Sequence, residues 1–466
     1  MLRRLVVLVF LSSVCLVASL FVNRPAHAGD DWLPILPEDL SMKGYPASPN
    51  AHAILLYREE DADHNLAFET YYFRIKVFDE EGKKYANIEI PYLKGISEVR
   101  DLKARTIHPD GRIVNFDGKV FDKTVVKVRG TKVQAKTFSL PDVQVGSIIE
   151  YKYTLRGVIT NTRYVQHELL TRRAVFTLKR YHYLAIRMIT FKIPLEKVPK
   201  GEEKGVLRLE LQDIPAFVEE EFAPPEHELK ARIQFFYSRR LVDKPDPYWA
   251  EYGKEWSQRI EDFIGKRKGI ERAAAEMVSP DDPPETKLRK IYARVRQVRN
   301  TSFERSRTEK EEKREKLKEN NNVEDLLERG YGNGTEINLL FVALCRAAGF
   351  KAWSVHVSTR DDYFFNKNLL DDDQLNNNVV LVNAGSKDYF LDPGTAQAPF
   401  GLLPWYETGV TGMKLDPIGS SFVKTNVPLS ADAVIERKAT IKLADDGSVS
   451  GTLVATFPAR RLSGVA

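Results

Sequence analysis

A glycine-rich turn that leads into an apolar helix is the place in this sequence where a reactive group is most expected. The stretch "GYGNGTEINLLFVALCRAAG" is apolar almost all the way round after the turn, and its helical pattern ends at Gly349. Backbone N–H groups at a helix start stabilise an anion and lower the pKa of a thiol placed there. This turn carries Asn333, Gly334 and Thr335, and no cysteine. The sequence therefore raises the question of whether an active site has lost its active group.

Three other side chains nearby are candidates for chemistry. Cys345 would lie about 16 Å further along the helix axis at 1.5 Å per residue, among apolar neighbours, and is interpreted as a small buried hydrophobe. His356 alternates with two valines and is interpreted as a hydrogen-bonded or surface histidine rather than a base. Asp392 precedes Pro393 and Gly394, so it is either a turn former or a site carboxylate. Thr335 is a hydroxyl at the helix start, and a role as N-cap or in the first helical turn explains it.

The spacing of histidines and acidic residues does not indicate a metal site. Six histidines are scattered singly between residues 52 and 227: His52, His64, His108, His167, His182 and His227. A structural or catalytic metal needs three or four ligands that converge. The sequence therefore predicts no metal and no cofactor.

The first 28 residues have the composition of a secretory signal peptide. Arg3 and Arg4 precede an apolar run, and the small residues of "AHA" stand before a predicted cut at Gly29. We expect an exported protein, periplasmic or extracellular, with no membrane span after signal removal. The minor alternative is an uncleaved N-terminal membrane anchor, because the apolar run is long for a signal.

The charge balance of the remaining chain excludes a nucleic-acid partner. The full sequence of 466 residues has 70 basic and 65 acidic residues, and the leader takes three arginines and no acid with it. No basic stripe interleaved with aromatics remains. Cys15 leaves with the leader, so Cys345 has no internal disulfide partner.

Three segments follow the leader, and they differ in their periodicity. Residues 29–243 contain short alternating strands separated by turns, which predicts an antiparallel β-sandwich region. Residues 244–420 begin with helical patterns and end in strands, which predicts an α+β domain. Residues 421–466 become strand-like again and read as a partial C-terminal β domain. The predicted fold is therefore multidomain.

The order of these segments resembles a known pairing of bacterial domains. The run "NLLFVALCRAAGFKAWSVHV", then "NNNVVLV" and "YFLDPG", resembles the transglutaminase-like (papain-like) fold of cysteine-nucleophile enzymes. The segments "ARTIHPDGRIV" and "FSLPDVQVGSIIEYKY" resemble the DUF3857 family, which often precedes that fold. The resemblance spans residues 51–414, and it implies a triad of cysteine, histidine and aspartate.

The resemblance places two of these three catalytic positions on residues that cannot do the chemistry. The cysteine position falls on Gly334, after Asn333 where an aspartate is common, and the histidine position falls on Asn377 or Asn378. Only Asp392 matches. Glycine has no nucleophile and asparagine takes up no proton near neutral pH. The segment "APFGLLPWYETG" is expected to cover one edge of the cleft, where Trp405 and Tyr406 either stack on a ligand or pack in the core.

These observations favour a pseudoenzyme that binds rather than cuts. The first hypothesis is an exported scaffold whose degenerate cleft recognises a peptide or glycopeptide, with Asn333, Thr335, Trp405 and Tyr406 as candidate contacts. Its partner is an unidentified peptide, protein or cell-wall ligand. The alternatives are a hydrolase or acyltransferase that uses unrecognised residues, and a structural component of an envelope assembly. We also expect the fold to stay intact when the cysteine and histidine of the triad are restored, by Gly334→Cys with a histidine at residue 377 or 378.

Overall fold

The fold is taken from a computed structural model of the chain. It describes residues 32–128, 131–198, 201, 203, 205–238, 242–265, 268–304, 315, 317–396, 398–429 and 435–456. The predicted signal peptide lies outside the described residues. None of the helices within these ranges is both long and apolar enough to cross a membrane.

A seven-stranded sheet forms the framework of residues 53–238, which we call the β region. The strands of the β region are β1 (Ala53–Asp63), β2 (Phe68–Val77), β3 (Asn87–Leu93), β4 (Glu98–Ile107), β5 (Ile113–Asn115), β6 (Phe121–Val128), β7 (Thr131–Ser139), β8 (Ile148–Arg156), β9 (Thr162–Tyr164), β10 (Thr171–Lys179), β11 (Ala185–Phe191), β12 (Val206–Ile214) and β13 (Arg232–Ser238). The order of strands in the seven-stranded sheet is β12-β10-β1-β2-β8-β4-β5. Two short helices accompany them, α1 (Pro37–Ser41) and α2 (Glu226–Leu229).

Two three-stranded sheets pack on this framework, so the predicted sandwich architecture is confirmed. The sheet β3-β7-β6 covers a core that includes Phe73, Ile90 and Ile149. The sheet β11-β13-β9 covers a second core that includes Phe176 and Phe235. One detail differs from the antiparallel prediction, because β1 and β10 pair in parallel and make the large sheet mixed. Local alternation of residue types does not specify that long-range pairing.

Residues 245–424 form the predicted α+β domain, and we keep that name for them. Its helices are α3 (Pro245–Ile264), α4 (Lys268–Met277), α5 (Pro284–Val295), α6 (Val323–Arg329) and α7 (Gly334–Ala347). Its five-stranded sheet has the order β18-β17-β16-β19-β20, from β16 (Lys351–Val357), β17 (Asn377–Ala384), β18 (Lys387–Leu391), β19 (Thr411–Lys414) and β20 (Ser421–Lys424). A two-stranded parallel pair, β14 (Arg299–Asn300) with β15 (Tyr331–Gly332), precedes α7.

Helix α7 is the centre of this domain. Residues 337–345 are all buried, and the helix packs against α3, α4, α5 and α6 on one side and against β16 and β17 on the other. The apolar circumference seen in the sequence is therefore explained by contacts on every side. Burial decreases at the two ends of the helix, and its N-terminal end, with Gly334 and Thr335, is the one that lies beside Gly394.

The C-terminal strands divide differently from the prediction. Strand β20 pairs with β19 and completes the five-stranded sheet, so the α+β domain extends past the predicted boundary at residue 420. The remaining described strands, β21 (Glu436–Leu443) and β22 (Val449–Thr456), form a hairpin that is almost entirely exposed. The strands after residue 421 therefore fall into two groups: β20 belongs to the α+β domain, and β21 and β22 form the separate hairpin.

Candidate functional site

The start of α7 is closed by its own side chains. The Asn333 side-chain oxygen accepts a hydrogen bond from the Glu336 N–H at 2.9 Å, and Glu336 accepts from the Asn333 N–H at 3.0 Å. This reciprocal capping box satisfies helix-terminal donors that would otherwise face a ligand. The Gly334 N–H donates to Ser302 Oγ at 3.1 Å. Asn333, a candidate ligand contact from the sequence, is therefore engaged in capping the helix.

Gly334 lies against the backbone of Gly394 and has no space for a side chain. A Cβ atom at residue 334 would stand 2.7 Å from the Gly394 carbonyl oxygen. That oxygen is also held by the Asn300 side-chain amide at 2.6 Å, so the carbonyl is fixed in place. The expectation that Gly334→Cys leaves the fold intact stays a prediction, and the structure adds that the Gly394 backbone would have to shift to admit the new side chain.

Asn338, one turn after Gly334, joins the elements around this point. Its Nδ2 donates to Asp392 Oδ1 at 2.8 Å and to the Asn378 carbonyl oxygen at 3.0 Å. Its Oδ1 accepts from the Gly394 N–H at 2.8 Å. Both donors and the acceptor of one buried amide are thus used to hold three neighbours. In the sequence, the signal for this role is a single asparagine inside an apolar helix face, and its partners could not be read from the residues around it.

The two asparagines that share the histidine position lie on opposite faces of the sheet. Asn378 is 5% exposed and is on the same face as Val380 and Val382, which pack in the core around α7. Asn377 is on the other face, where its Nδ2 donates to Glu407 Oε1 at 2.7 Å. Of the two, Asn378 is therefore the residue that faces α7 beside Asn338.

Asp392 is buried at 2% exposure and combines both roles that the sequence left open. Its Oδ1 accepts from the Thr395 N–H at 3.1 Å, as a turn former does, and also from Asn338. Its Oδ2 has no hydrogen-bond partner in the described part of the chain. Burial raises the pKa of this carboxyl, since the charged form loses water, and the bonds from Thr395 and Asn338 offset only part of that effect.

A cavity of about 390 Å³, which we call the cleft, opens in front of Asn378. Its walls include Thr335 from the start of α7, Tyr252 and Trp256 from α3, and His356 from β16. The loop before β17 closes it with Asp372, Asp373, Leu375 and Asn376, and Asn377 at the start of β17 completes the lining. Thr335 is exposed, so its hydroxyl reaches solvent in the cleft.

His356 is the histidine of the cleft, and the register explains its place. It pairs directly across the ladder with Asn378, so both side chains lie on the α7 face of the sheet. Tyr252 OH and His356 Nδ1 are 2.7 Å apart, and the Trp256 ring is 4.9 Å away. Burial lowers the pKa of His356 to about 4, so the imidazole is neutral at physiological pH.

Trp405 and Tyr406 lie apart from the residues that line the cleft. They belong to a 3-10 turn of residues 405–407, where Trp405 is 54% exposed and packs beneath the Arg360 guanidinium. The aromatic wall of the cleft comes instead from Tyr252 and Trp256, which sit one helical turn apart on α3. Neither Trp405 nor Tyr406 is among the residues that line this cavity, and their stacking on a ligand stays a prediction.

The remaining candidates do not supply chemistry. Cys345 is fully buried, and burial raises the pKa of its thiol well above the usual range. No group of three or more histidine, cysteine or acidic side chains within the described ranges could hold a metal ion. The polar groups that converge on the cleft are therefore amides, a hydroxyl, carboxylates and a neutral imidazole.

Comparisons with known proteins agree with this architecture. The domain of unknown function DUF3857 matches residues 65–218, which lie within the β region. The transglutaminase-like superfamily matches residues 271–374, from α4 to the loop before β17. The α+β domain is transglutaminase-like. The matched segment includes Gly334 and ends before Asn378 and Asp392.

One solved structure shows the same fold at low sequence identity. A Parabacteroides distasonis protein described as a "putative protease" aligns over 81% of this chain and 72% of its own, with 13% identity and a TM-score of 0.54. A Legionella pneumophila protein described as a "putative nutrient binding protein" aligns over 60% of this chain and 94% of its own, with 10% identity and a TM-score of 0.19, too low to carry an argument. A search of the curated proteins found no significant match.

Proposed function

We propose that the protein is an exported, non-catalytic binding protein whose transglutaminase-like cleft recognises a peptide segment. The observation that carries this proposal is the contact between Gly334 and Gly394. A nucleophilic side chain is absent at residue 334, and the 2.7 Å approach of the Gly394 carbonyl leaves no room for one. A thiol mechanism needs both a nucleophile and a base in reach of each other.

The residue at the position of the catalytic histidine also supports a non-catalytic protein. Asn378 faces α7 where the resemblance expects the histidine, and an amide cannot take a proton from a nucleophile near neutral pH. Removal of a nucleophile or base from a triad lowers the rate by several orders of magnitude. The cleft nevertheless remains open, with a volume of about 390 Å³ and an aromatic wall, which suits ligand binding.

Binding and catalysis are separated by one set of measurements on the mature chain. The chain is assayed for hydrolysis and acyl transfer on a panel of peptide amides and esters, and for binding of the same peptides by calorimetry. We expect binding without turnover, and binding that weakens when Trp256→Ala removes part of the aromatic wall. Turnover that survives Cys345→Ala would overturn the proposal, and so would the absence of any binding.

A hydrolase that uses other residues is the second candidate, and one observation favours it. Thr335 and His356 line the same cleft, and His356 stands directly across from Asn378. A neutral imidazole is in the protonation state of a general base. If turnover is found and is lost in both Thr335→Val and His356→Gln, this second function replaces the first.

Export is a separate part of the proposal and has its own test. It rests on the charged start, the apolar run and the "AHA" site of residues 1–28. We expect the protein recovered from the cell envelope or the medium to begin at Gly29 by mass spectrometry. A protein that retains Met1 on the membrane would support the uncleaved anchor instead.

A further inference from the structure

The cleft is adjoined by a second cavity that the two domains build together. This interdomain cavity has a volume of about 350 Å³. Asp372 and Asp373 line both cavities. Helix α3 also lines both, with Tyr248 and Glu255 at the interdomain cavity and Tyr252 and Trp256 at the cleft. The two cavities are therefore neighbours along one helix and one loop.

The β region supplies one wall of the interdomain cavity. Its contributions are Phe236 and Tyr237 near the end of β13, Leu184 before β11, and Asn161 before β9. All four residues belong to the β region, which lies outside the segment that matches the transglutaminase-like superfamily. The second domain of the chain thus receives part of its candidate binding surface from the first.

Contacts between the domains hold this wall in position. Gln234 Nε2 on β13 donates to Asp371 Oδ2 at 3.3 Å, and both side chains are buried. On α2, Glu228 accepts a hydrogen bond from the Phe364 N–H at 3.0 Å, and the His227 ring meets the Tyr363 ring edge-to-face at 4.6 Å. The loop that separates the two cavities is therefore anchored on the β region.

One residue that lines each cavity has a buried amide atom with no hydrogen-bond partner among the described residues. At the cleft this residue is Asn378, which is 95% buried and whose Nδ2 is a donor. At the interdomain cavity it is Asn161, whose Oδ1 is an acceptor. A buried polar atom without a partner is costly, and a bound group that completes it is stabilised. A peptide backbone offers both complements, a carbonyl oxygen and an N–H, in every residue.

We propose that the cleft and the interdomain cavity form one groove for an extended peptide chain, and that the β region is part of the binding site. The chain would present a carbonyl to Asn378 in the cleft and an N–H to Asn161 in the interdomain cavity. Residues Tyr248 to Trp256 of α3 extend about 12 Å along the groove at 1.5 Å per residue. A strand rises about 3.3 Å per residue, so about four ligand residues are needed to occupy both cavities.

This inference rests on the proposed peptide-binding function, and peptide length separates the two. The probes are randomised pools of N-acetylated, C-amidated peptides of two and of six residues, titrated into the mature chain by calorimetry. We expect the six-residue pool to bind at least tenfold more tightly than the two-residue pool. Asn378→Ala should weaken both pools about three- to tenfold, as the loss of one hydrogen bond predicts.

Two variants on the β region test its contribution directly. Asn161→Ala should weaken the six-residue pool about threefold or more and leave the two-residue pool unchanged. Leu184→Trp, which fills the interdomain cavity, should weaken binding of the six-residue pool more than Asn161→Ala does and should also leave the two-residue pool unchanged. Asn383→Ala is the matched control, because its amide bonds Asp388 on an exposed surface far along β17 from Asn378. Circular dichroism establishes that each variant is folded.

The outcomes assign failure to one proposal or the other. If Asn378→Ala weakens binding but Asn161→Ala and Leu184→Trp do not, the extended groove is wrong and the peptide-binding cleft stands. If neither pool binds, both proposals are wrong. Tighter binding of an N-acetylglucosamine tetramer than of either peptide pool would replace the peptide by a glycan and overturn the groove inference.

Discussion

Replacement of Asn338 by alanine should destabilise the α+β domain by about 3 to 5 kcal/mol. The substitution removes both hydrogen bonds donated by Nδ2 and the bond accepted by Oδ1. A buried group left without its partner costs about 1–3 kcal/mol, and more when it is charged. Asp392 keeps the Thr395 N–H, so its loss is partial, whereas the Gly394 N–H and the Asn378 carbonyl lose the amide completely. The expected loss therefore lies in the lower part of the range of about 3–9 kcal/mol for three groups.

Hydrogen exchange at α7 measures this change in the right domain. Exchange of the peptide that covers residues 334–347 reports the opening of the central helix without contribution from the β region. Asn383→Ala is the control, since it removes one exposed hydrogen bond to Asp388 and should change the free energy by less than about 0.5 kcal/mol. A loss below about 1 kcal/mol in Asn338→Ala, or an equal loss in the control, would refute the role given to Asn338.

Three further outcomes follow from the site and its surroundings. Gly334→Ala should lower the stability of the α+β domain by about 1–3 kcal/mol, because its Cβ meets the Gly394 oxygen at 2.7 Å, whereas Gly419→Ala meets no atom within 4 Å and should be neutral or stabilising in the same urea titration. Burial raises the pKa of Asp371 to about 7, so the folded state binds a proton that the unfolded state has released above pH 4. Stability should therefore fall between pH 4 and 7 by up to about 1.4 kcal/mol per pH unit, and Asp371→Asn should flatten that decline in thermal unfolding; an unchanged slope would contradict the assignment. Cys345 should resist a thiol reagent in the native protein and react only in urea, and labelling under native conditions would show that α7 opens.

Local patterns in the sequence were sufficient for the elements but not for the network that joins them. The start of α7 at Asn333 and Gly334 and its apolar circumference could be predicted, because caps and periodicity are properties of neighbouring residues. The role of Asn338 could not, because Asn378 and Gly394 reach it from distant parts of the chain. Even so, a lone amide in an apolar helix face was a signal that a buried hydrogen-bond network was present.

The aromatic wall of the cleft could not be predicted from the sequence, and the cause is physical. The sequence pointed to Trp405 and Tyr406 as aromatic residues near the cleft, whereas the residues that line it are Tyr252 and Trp256. Helix α3 precedes α7 by some eighty residues, and only the packing of the domain brings it to the cleft. Sequence proximity to a functional residue is therefore a weak guide to which aromatic side chains surround it.

The parallel pairing of β1 with β10 has a consequence for the order in which the chain gains structure. Leu55 pairs with Thr171, more than a hundred residues later, and β1 lies between β2 and β10 in the large sheet. Until β10 has been added, β1 can form a hairpin with β2 but presents an open edge that another chain could use. Closing so long a loop is slow compared with helix packing. The β region, which anchors the loop between the two cavities, should therefore be the slow phase in refolding, and the complete groove would form only after it.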